Sequence, residues 1–531
     1  MKKLLKKTLA FALAATLVLG AGPLAGICGI ELPSFSSFIA SAAEEEPVWT
    51  VATDDMLKIE GNTIIGYTDK LAGSIEIPTE TANGTAITKI ADNAFRNCAD
   101  ITAVKIPETI VSIGSRAFAD CGLETVYFNA IACDIYNNAT EGNSLFTGNS
   151  NLTKVVFGKN VTKIPECVCG SIPSLQKVEF KATVIEISDS AFYNCPSLKA
   201  IDLSTVEIIG ESAFAKCTSL KATDKNTATE SDKGTIVFSD NLLTVGDSAF
   251  EYCTSFKEVT IPEKTKKTGS RAFANSGFET VYFNAIACDV FNNANEGYSL
   301  FNGNSNLTKV VFGENVTRIP ECVCGSIANL QKVEFKGKVT EICDSAFYNC
   351  PSLEAIDLST VETIGESAFA KCTSLKATDK NTATESDKGT IVFSDNLLTV
   401  GDSAFEYCTS FKEITIPENT KKTGSRAFAN SGLERVYFNA IACDVFNNAN
   451  EGYSLFNGNS NLTEVVFGEN VTKIPEYVCG SMANLQKVEF KGEVTEIKEY
   501  AFYNCPSLEN IHLAAYSEDD FDINNITIGK K

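Results

Sequence analysis

The 531-residue chain carries 45 basic and 67 acidic side chains, for a formal net charge of -22, together with 19 cysteines and one histidine. Because a nucleic-acid binder needs a basic surface that neutralises phosphates, this charge argues against a nucleic-acid partner. His512 alone cannot form a multi-histidine metal site, and it is the single imidazole that a Ser/His/Asp or Cys/His catalytic system could use. The composition therefore predicts no cofactor and no metal centre built on histidine.

The N-terminus has the pattern of an export signal. Four lysines within the first seven residues precede an apolar run from Leu9 to Leu19, and Ala40-Ser41-Ala42 fits a small-residue cleavage site. Residues 1–42 are therefore predicted to be a signal peptide cleaved near Ala42. No later apolar stretch reaches the length of about 18 residues that a membrane span needs. We expect a secreted or surface-associated protein with no transmembrane span in the mature chain.

Two nested repeats account for most of the remaining sequence. Gly-Ser-Arg-Ala-Phe begins at residues 114, 269 and 424, which defines blocks of 155 residues, the last of them incomplete. Within the blocks lies a shorter unit of 22 or 23 residues, with longer units of 28 and 36 residues. The first anchoring residues of this unit are Phe95, Phe118, Phe146, Cys169, Phe192, Phe214, Phe250 and Phe273, and the series continues to Phe502 for 17 units.

The short unit predicts a solenoid. Leu198-x-x-Ile201-x-Leu203 alternates apolar residues with period two, which is typical of a short strand with one buried face. A unit of this length cannot bury its own apolar face, so successive units must stack. Stacked identical units pair their strands in parallel. We therefore expect one parallel sheet, with turns and irregular or 3-10 segments on the other side.

The motifs Leu-x-x-Val-x-Ile-Pro, Ile-Gly and Ala-Phe-x-x-Cys resemble those of the BspA-type leucine-rich repeat family over roughly residues 60–513. The departures are Cys169, Cys324 and Cys479 in place of Phe, and Pro165, Pro320 and Pro475 in place of Gly. The resemblance implies a leucine-rich repeat solenoid over 91–513, an N-terminal cap over 43–90 that includes Trp49, and a C-terminal tail over 514–531. It also implies a bacterial surface protein.

Nine cysteines stand three residues after the Phe, where a solenoid turn needs a small buried side chain. Ser276 and Ser431 replace cysteine in two units, which indicates a buried turn position and mostly free thiols. A disulfide between neighbouring positions such as Cys195 and Cys217 is the alternative. The two longer units predict surface loops, either tolerated insertions or binding loops.

The side chain between the two inward residues of each strand should face outward, and these side chains form a column along the sheet. Tyr and Val in this column are the kind of apolar and aromatic surface that marks contact sites, and its acids would attract a basic partner or Ca²⁺. The predicted ligand-binding residues are Tyr127, Val156, Glu179, Asp202, Tyr282, Val311, Glu334, Asp357, Tyr437, Val466 and Glu489.

These features predict an exported, non-enzymatic adhesin that binds through its sheet. The resemblance implies, as partners, a host matrix or cell-surface glycoprotein or the surface of another microbe. A structural stalk or coat without a specific ligand is the alternative, since copying a block copies its surface. A secreted hydrolase is a remote third possibility, because a solvated sheet offers no apolar pocket to raise a carboxyl pKa.

Overall fold

The computed structural model describes residues 46–135, 144–221, 234–290, 299–376, 389–445 and 454–513. The predicted signal peptide, the tail over 514–531 and most of the two longer loops lie outside these ranges. From Trp49 onward the chain belongs to one unit. Its described residues form strands and turns, and none of them forms a helix able to cross a membrane.

The predicted parallel sheet is confirmed as one side of a solenoid of about 17 turns. Its strands, numbered in chain order, pair in parallel and alternate buried with outward side chains, as in the burial of Val126 and Phe128 beside Tyr127. We call this ladder the main sheet. It consists of β1 (Thr50–Val51), β4 (Gly73–Glu76), β6 (Ile101–Ile106), β8 (Thr125–Phe128), β10 (Lys154–Phe157), β12 (Lys177–Phe180), β15 (Thr235–Ile236), β17 (Glu258–Ile261), β19 (Thr280–Phe283), β21 (Lys309–Phe312), β23 (Lys332–Phe335), β26 (Thr390–Ile391), β28 (Glu413–Ile416), β30 (Arg435–Phe438), β32 (Glu464–Phe467), β34 (Lys487–Phe490) and β36 (Asn510–Leu513).

A second ladder of mostly two-residue strands runs along another side of each coil. Apart from the antiparallel pair β2 and β3, its strands also pair in parallel. Its strands are β2 (Leu57–Glu60), β3 (Thr63–Tyr67), β5 (Lys89–Ile90), β7 (Ser112–Ile113), β9 (Asp134–Ile135), β11 (Lys163–Ile164), β13 (Glu186–Ile187), β14 (Ile208–Ile209), β16 (Thr244–Val245), β18 (Lys267–Thr268), β20 (Asp289–Val290), β22 (Arg318–Ile319), β24 (Glu341–Ile342), β25 (Thr363–Ile364), β27 (Thr399–Val400), β29 (Lys422–Thr423), β31 (Asp444–Val445), β33 (Lys473–Ile474) and β35 (Glu496–Ile497).

The Ile-Gly pairs therefore end a strand rather than form only a turn. The isoleucine is inward in the second ladder, and the glycine allows close stacking of the coils. A Cβ on Gly210 would lie 2.3 Å from Oδ1 of Asp189 in the preceding coil. That carboxylate oxygen accepts a hydrogen bond from the backbone N–H of Glu211 at 2.7 Å. A side chain at Gly210 would thus displace the bond that joins the two coils.

The third side of each coil is the turn that contains the anchoring Phe. In the first coil Asn93 and Asn97 have φ of 57° and 63°, in the left-handed region. The N–H groups of Asn93, Phe95 and Asn97 donate to carbonyls of the next coil at 3.0, 2.7 and 3.0 Å. Because the buried backbone is hydrogen-bonded between coils here as well, the turn stacks as regularly as the strands do.

The core is a column of stacked phenylalanines. Phe95 and Phe118 lie parallel with ring centroids 4.7 Å apart, and Phe192 and Phe214 repeat this at 5.5 Å. The column is interrupted at Cys169, where the inward Phe157 of β10 instead contacts Phe192 edge-on at 6.3 Å. The same edge contact recurs at 6.3 Å beside Cys324 and Cys479. The smaller cysteine leaves room for a phenylalanine from the main sheet, so this departure from the motif is a local repacking.

The eighteen cysteines of the described ranges are all free thiols. At the repeated turn position the thiol donates to a carbonyl of an earlier coil, as Cys195 Sγ does to the oxygen of Cys169 at 3.0 Å. Ser276 makes the equivalent bond to the oxygen of Phe250 at 2.8 Å. One geometry serves both side chains, which explains their interchange between units.

Candidate functional site

The main sheet brings the predicted column residues of each block onto adjacent strands. In the first block Tyr127 pairs with Val156, and Val156 pairs with Glu179. The same order holds for Tyr282, Val311 and Glu334, and for Tyr437, Val466 and Glu489. Asp202 and Asp357 lie one coil further along, where the main sheet is reduced to isolated bridges at Ala200 and Ala355. The candidate binding face is therefore continuous within a block and interrupted at these aspartates.

The valines of this column differ from the prediction of an exposed surface. Val156, Val311 and Val466 are only 3%, 5% and 6% exposed. Each stands between a tyrosine and a glutamate on strands about 4.8 Å away, and those longer side chains cover it. These valines contribute to packing on the outer face, and a ligand would meet their neighbours instead.

The three tyrosines also differ from one another. Tyr282 is 36% exposed, whereas Tyr127 packs against Trp49. Trp49 in turn lies under Lys105, whose Nζ is 6.0 Å from the indole centroid and 3.0 Å from Glu76 Oε1. The N-terminal segment thus covers the first tyrosine of the column.

The column glutamates are ion-paired. Lys154, Lys177 and Lys181 converge on Glu179 at 3.1, 2.8 and 2.9 Å. Burial by itself would raise the pKa of Glu179, but hydrogen bonds from the three lysines lower that pKa to about 2. This carboxylate is therefore already compensated inside the protein.

The other two glutamates share this arrangement. Glu334 is held by three lysines at 2.7 to 3.1 Å, and Glu489 is held by Lys487 and Lys491. These bonds lower the pKa of each glutamate to about 2. These glutamates are thus paired within the chain, and their attraction of a basic partner stays a prediction. Carboxyls with so low a pKa are ionised at neutral pH, whereas the general acid of glycoside hydrolysis is a protonated carboxyl.

The column aspartates stabilise turns. Oδ1 of Asp202 accepts hydrogen bonds from the N–H of Ser204 at 3.1 Å and from its hydroxyl at 2.6 Å. Asp357 and Ser359 repeat both bonds, at 3.0 and 2.6 Å. Within the described ranges, no group of three His, Cys, Asp or Glu side chains is placed to hold a metal ion. Calcium binding by these acids therefore stays a prediction without a ligand set.

Two grooves at the C-terminal ends of strands of the main sheet are not among the sites predicted from the sequence. One has a volume of about 800 Å³ and is lined by Val237, Thr260, Pro262, Asn284 and Gly313, among others. The other has a volume of about 650 Å³ and is lined by the residues 155 positions later, from Val392 to Asn439. Val237 and Val392 are 40% and 48% exposed at these grooves. Each groove thus combines an apolar surface with amide, hydroxyl and carboxylate groups.

The grooves form where the main sheet is broken. β15 has only two residues, Thr235 and Ile236, and pairs with β17, while no strand of the main sheet pairs with it on the side of Asp202. Gly234, with φ of 108°, lies within the 36-residue unit and directly precedes β15. The length of that unit and this glycine are the signals in the sequence, and both recur in the next block, where the glycine is Gly389.

Comparisons with known proteins find one repeat family and several similar solved structures. The model of the BspA type leucine rich repeat region matches residues 73–147, 139–234, 229–296, 295–389 and 380–509. A leucine-rich repeat protein from Bacteroides ovatus is similar, with 20% identity, a TM-score of 0.43 and coverage of 83% of this chain and 97% of that one. A leucine rich cell surface protein from Faecalibacterium prausnitzii has 20% identity, a TM-score of 0.29 and coverage of 87% and 95%.

The pneumococcal vaccine antigen PcpA is similar at 16% identity, with a TM-score of 0.29 and coverage of 87% of this chain and 93% of its own. Among curated proteins, none has significant sequence similarity to this chain.

Proposed function

Because the chain belongs to the BspA-type leucine-rich repeat family, we propose that it is an exported, non-enzymatic adhesin that binds a macromolecule through the outer face of its main sheet. The expected partners are a host matrix or cell-surface glycoprotein, or the surface of another microbe. Export by the signal peptide over 1–42 is part of this proposal. The observation that carries it is the pair of grooves, each bordered by an exposed valine and followed along the sheet by a column tyrosine.

The groove and the tyrosine form one contact surface in each block. Thr260, which lines the first groove, pairs directly with Tyr282 on the next strand. Thr415 and Tyr437 repeat the pair in the second groove. An aromatic side chain with a polar end beside an apolar floor and fixed amide groups is typical of protein and glycan recognition. The binding surface proposed here is therefore Val237 to Tyr282 and Val392 to Tyr437.

Repetition favours avid binding to an extended or repetitive partner. The two surfaces are six coils apart, or roughly 29 Å at about 4.8 Å per coil. A partner that is bound at one surface meets the second surface at a high effective concentration. Its overall affinity therefore exceeds the affinity of either surface alone. Many weak contacts spread over the repeats would thus produce strong attachment.

The test compares two tyrosine pairs on different faces. In one variant Tyr282→Ser and Tyr437→Ser remove the column tyrosines. In the matched control Tyr252→Ser and Tyr407→Ser remove two tyrosines that are each 43% exposed on the turn side. Serine fits those control positions, because Ser171 and Ser326 occupy them in other coils with the same left-handed φ.

Binding of the purified protein to matrix glycoproteins, glycan arrays and bacterial cells is then measured. We expect saturable binding that weakens at least about tenfold in the column variant and is unchanged in the control, since buried interface aromatics are frequent hot spots. Equal losses in both variants, or none in either, would remove the sheet as the binding face. Absence of binding to every probe would favour the structural stalk.

A further inference from the structure

The turn side of the third block carries a group of aromatic side chains. Tyr477 and Tyr500 lie on adjacent coils, with ring centroids 4.8 Å apart and ring planes 8° from parallel. Tyr503 contacts Tyr500 edge-on, with centroids 5.7 Å apart and an angle of 75° between the planes. We call these three residues the tyrosine cluster. Tyr500 is 42% exposed and the other two are half-buried, so part of the aromatic surface faces solvent.

Two of the three tyrosines are specific to the third block. In the first two blocks the positions of Tyr477 and Tyr500 hold smaller residues, which are Cys167, Ser190, Cys322 and Ser345. Tyr477 and Tyr500 have φ of 53° and 58°, in the left-handed region, where a bulky side chain is uncommon. Local backbone preference therefore does not explain why tyrosine stands at these two positions.

Acidic residues surround the cluster. Residues 464–513 contain four lysines and eight glutamates, whereas residues 309–358 of the second block contain five basic and seven acidic side chains. Glu476 and Glu499 directly precede the first two tyrosines of the cluster, and both are exposed. Within the described ranges, neither carboxylate forms an ion pair with a lysine or arginine. Lys498 adjoins Glu499 in sequence, so two carboxylates and one ammonium leave this corner of the coils negative.

In the two complete blocks, the turn side already holds a cation over a tyrosine ring. Tyr193 and Tyr348 correspond to Tyr503, and a lysine from the following coil lies over each ring. Nζ of Lys216 is 4.8 Å from the ring centroid of Tyr193, and Nζ of Lys371 is 4.7 Å from that of Tyr348. The ring quadrupole attracts such an ammonium group. Tyrosine rings in this turn are thus placed where they can receive a cationic side chain.

We propose that the tyrosine cluster, together with Glu476 and Glu499, binds a basic segment of a partner polypeptide. A cationic side chain of the partner stacks on the exposed ring of Tyr500 while the two carboxylates attract its charge. Arginine suits both contacts, since its planar guanidinium stacks on aromatic faces and pairs with carboxylates through two hydrogen bonds. The site lies on the turn side, so it is separate from the binding surface proposed for the main sheet.

Charge favours this ligand over a neutral sugar. A sugar ring also stacks on tyrosine, but it gains nothing from two carboxylates that have no cation of their own. A cation over an exposed aromatic ring tightens binding by about two- to fivefold, and an exposed ion pair adds a similar factor. Salt weakens the ion pair, with a Debye length of about 10 Å at 0.1 M, and affects the stacking less.

The test first removes the rings. The ring variant combines Tyr477→Ser and Tyr500→Ser. Serine fits this turn position, because Ser190 occupies it in the first block with φ of 53°. The matched ring control combines Tyr252→Ser and Tyr407→Ser, which remove two tyrosines that are each 43% exposed elsewhere on the turn side. Unchanged circular dichroism is required of both.

A second pair of variants removes charge and leaves the rings in place. The charge variant combines Glu476→Gln and Glu499→Gln. Its control combines Glu166→Gln and Glu321→Gln, which change the net charge equally. These two glutamates are exposed and occupy the position of Glu476 in the first and second blocks, where cysteine follows in place of tyrosine.

Calorimetry at low and at physiological salt measures binding of the peptide acetyl-Arg-Gly-Arg-Gly-Arg-amide. The same peptide with neutral citrulline in place of arginine, and the neutral sugar cellohexaose, are the comparison ligands. We expect one saturable site per chain for the arginine peptide and at least about tenfold weaker binding of the citrulline peptide. The ring variant and the charge variant should each bind the arginine peptide at least about threefold more weakly, and both controls should bind it as the unmodified protein does.

Any of four results would overturn the inference. They are equal binding of the citrulline peptide, full binding by the ring variant, equal losses in the charge variant and its control, and cellohexaose binding that the ring variant alone loses. The third would mean that net charge by itself attracts the peptide, and the fourth would make the cluster a sugar platform. The proposed function keeps its own readout, because the Tyr282→Ser, Tyr437→Ser variant changes the main sheet and leaves the cluster intact.

Discussion

Trp49 packs edge-on against Tyr127, with ring centroids 5.2 Å apart and an angle of 85° between the ring planes. Tyr127 lies in the same Thr-Val-Tyr-Phe strand sequence as Tyr282, yet Tyr282 is more than one-third exposed. The first tyrosine of the column thus stabilises the N-terminal edge of the solenoid, while Tyr282 remains open to a partner.

The first prediction concerns this contact. Tyr127→Ser should destabilise the N-terminal strands, because an aromatic pair contributes about 0.5–1.5 kcal/mol beyond the area it buries. Tyr282→Ser should leave them unchanged. The measurement is hydrogen exchange of the Ala52 amide, which donates to Glu76 at 2.9 Å. In a double-mutant cycle with Trp49→Ala, we expect a coupling of about 1 kcal/mol. Additive effects of the two substitutions would show that the contact contributes nothing.

The second prediction concerns the interruption of the phenylalanine column. Cys169→Phe restores the usual residue of the motif, but it should destabilise the protein by roughly 1–3 kcal/mol, because Phe157 occupies the space. Phe157→Val combined with Cys169→Phe should recover part of the loss. Urea unfolding followed by circular dichroism measures both. Stability gained by Cys169→Phe alone would mean that the interruption is an unfilled gap.

The third prediction concerns the buried thiols at alkaline pH. Burial raises the pKa of Cys195 to about 12, well above its ordinary value near 8.5. A thiol whose pKa is higher in the folded state than in the unfolded state stabilises the fold fully at pH values below its unfolded-state pKa. This stabilisation is lost as the pH rises towards the folded-state pKa. Raising the pH from 7.5 to 9.5 should therefore lower the free energy of unfolding by about 1 kcal/mol through Cys195.

Cys195→Ser supplies the control for this pH dependence, since Ser276 shows that a hydroxyl makes the same hydrogen bond. Urea unfolding under reducing conditions at pH 7.5 and 9.5 should show a smaller alkaline loss for the serine variant. An identical loss in both proteins would indicate that the thiol is already ionisable in the folded state.

The fourth prediction concerns the paired glutamates at acidic pH. Hydrogen bonds from lysines outweigh burial and depress the pKa of Glu179 to about 2, so its stabilising contribution is present above the unfolded-state value near 4.5 and is lost as pH falls towards 2. Titration of the side-chain carboxyl by NMR should show this low pKa directly. Lys181→Met should raise it, because one of the three cations is removed. A carboxyl that titrates near 4.5 in the unmodified protein would contradict the ion-paired geometry.

Much of the fold could be predicted because its pattern is local and repeated. The proline after the strand and the regular return of Ala-Phe-x-x-Cys predict strands, turns and parallel stacking without knowledge of any contact. The strand expected around Ile201 is the exception, because that coil forms only an isolated bridge at Ala200. The exchange of Cys for Ser at residue 276 predicted a buried thiol position, and the hydrogen bonds there agree with it.

The candidate site was less accessible to the same reasoning. Alternation assigns Val156 to the outer face, but its burial depends on the side chains of two adjacent strands. It also assigns Glu179 to that face as an isolated acid, whereas the lysines that pair with it include Lys154, on a strand 25 residues away in sequence. The grooves at Val237 and Val392 depend on a missing strand pairing, for which the length of the 36-residue unit and the glycine before the strand are the signals in the sequence.

By itself the sequence determined the repeat length, the parallel order of the strands and the inward residues, since all of these follow from periodicity along the chain. The tertiary structure alone decided which outward side chains remain exposed, which charges are compensated and where the sheet opens into grooves. The reason is physical: exposure and pKa are set by neighbours within a few ångströms, and in a solenoid those neighbours lie on coils 22 to 36 residues away in sequence.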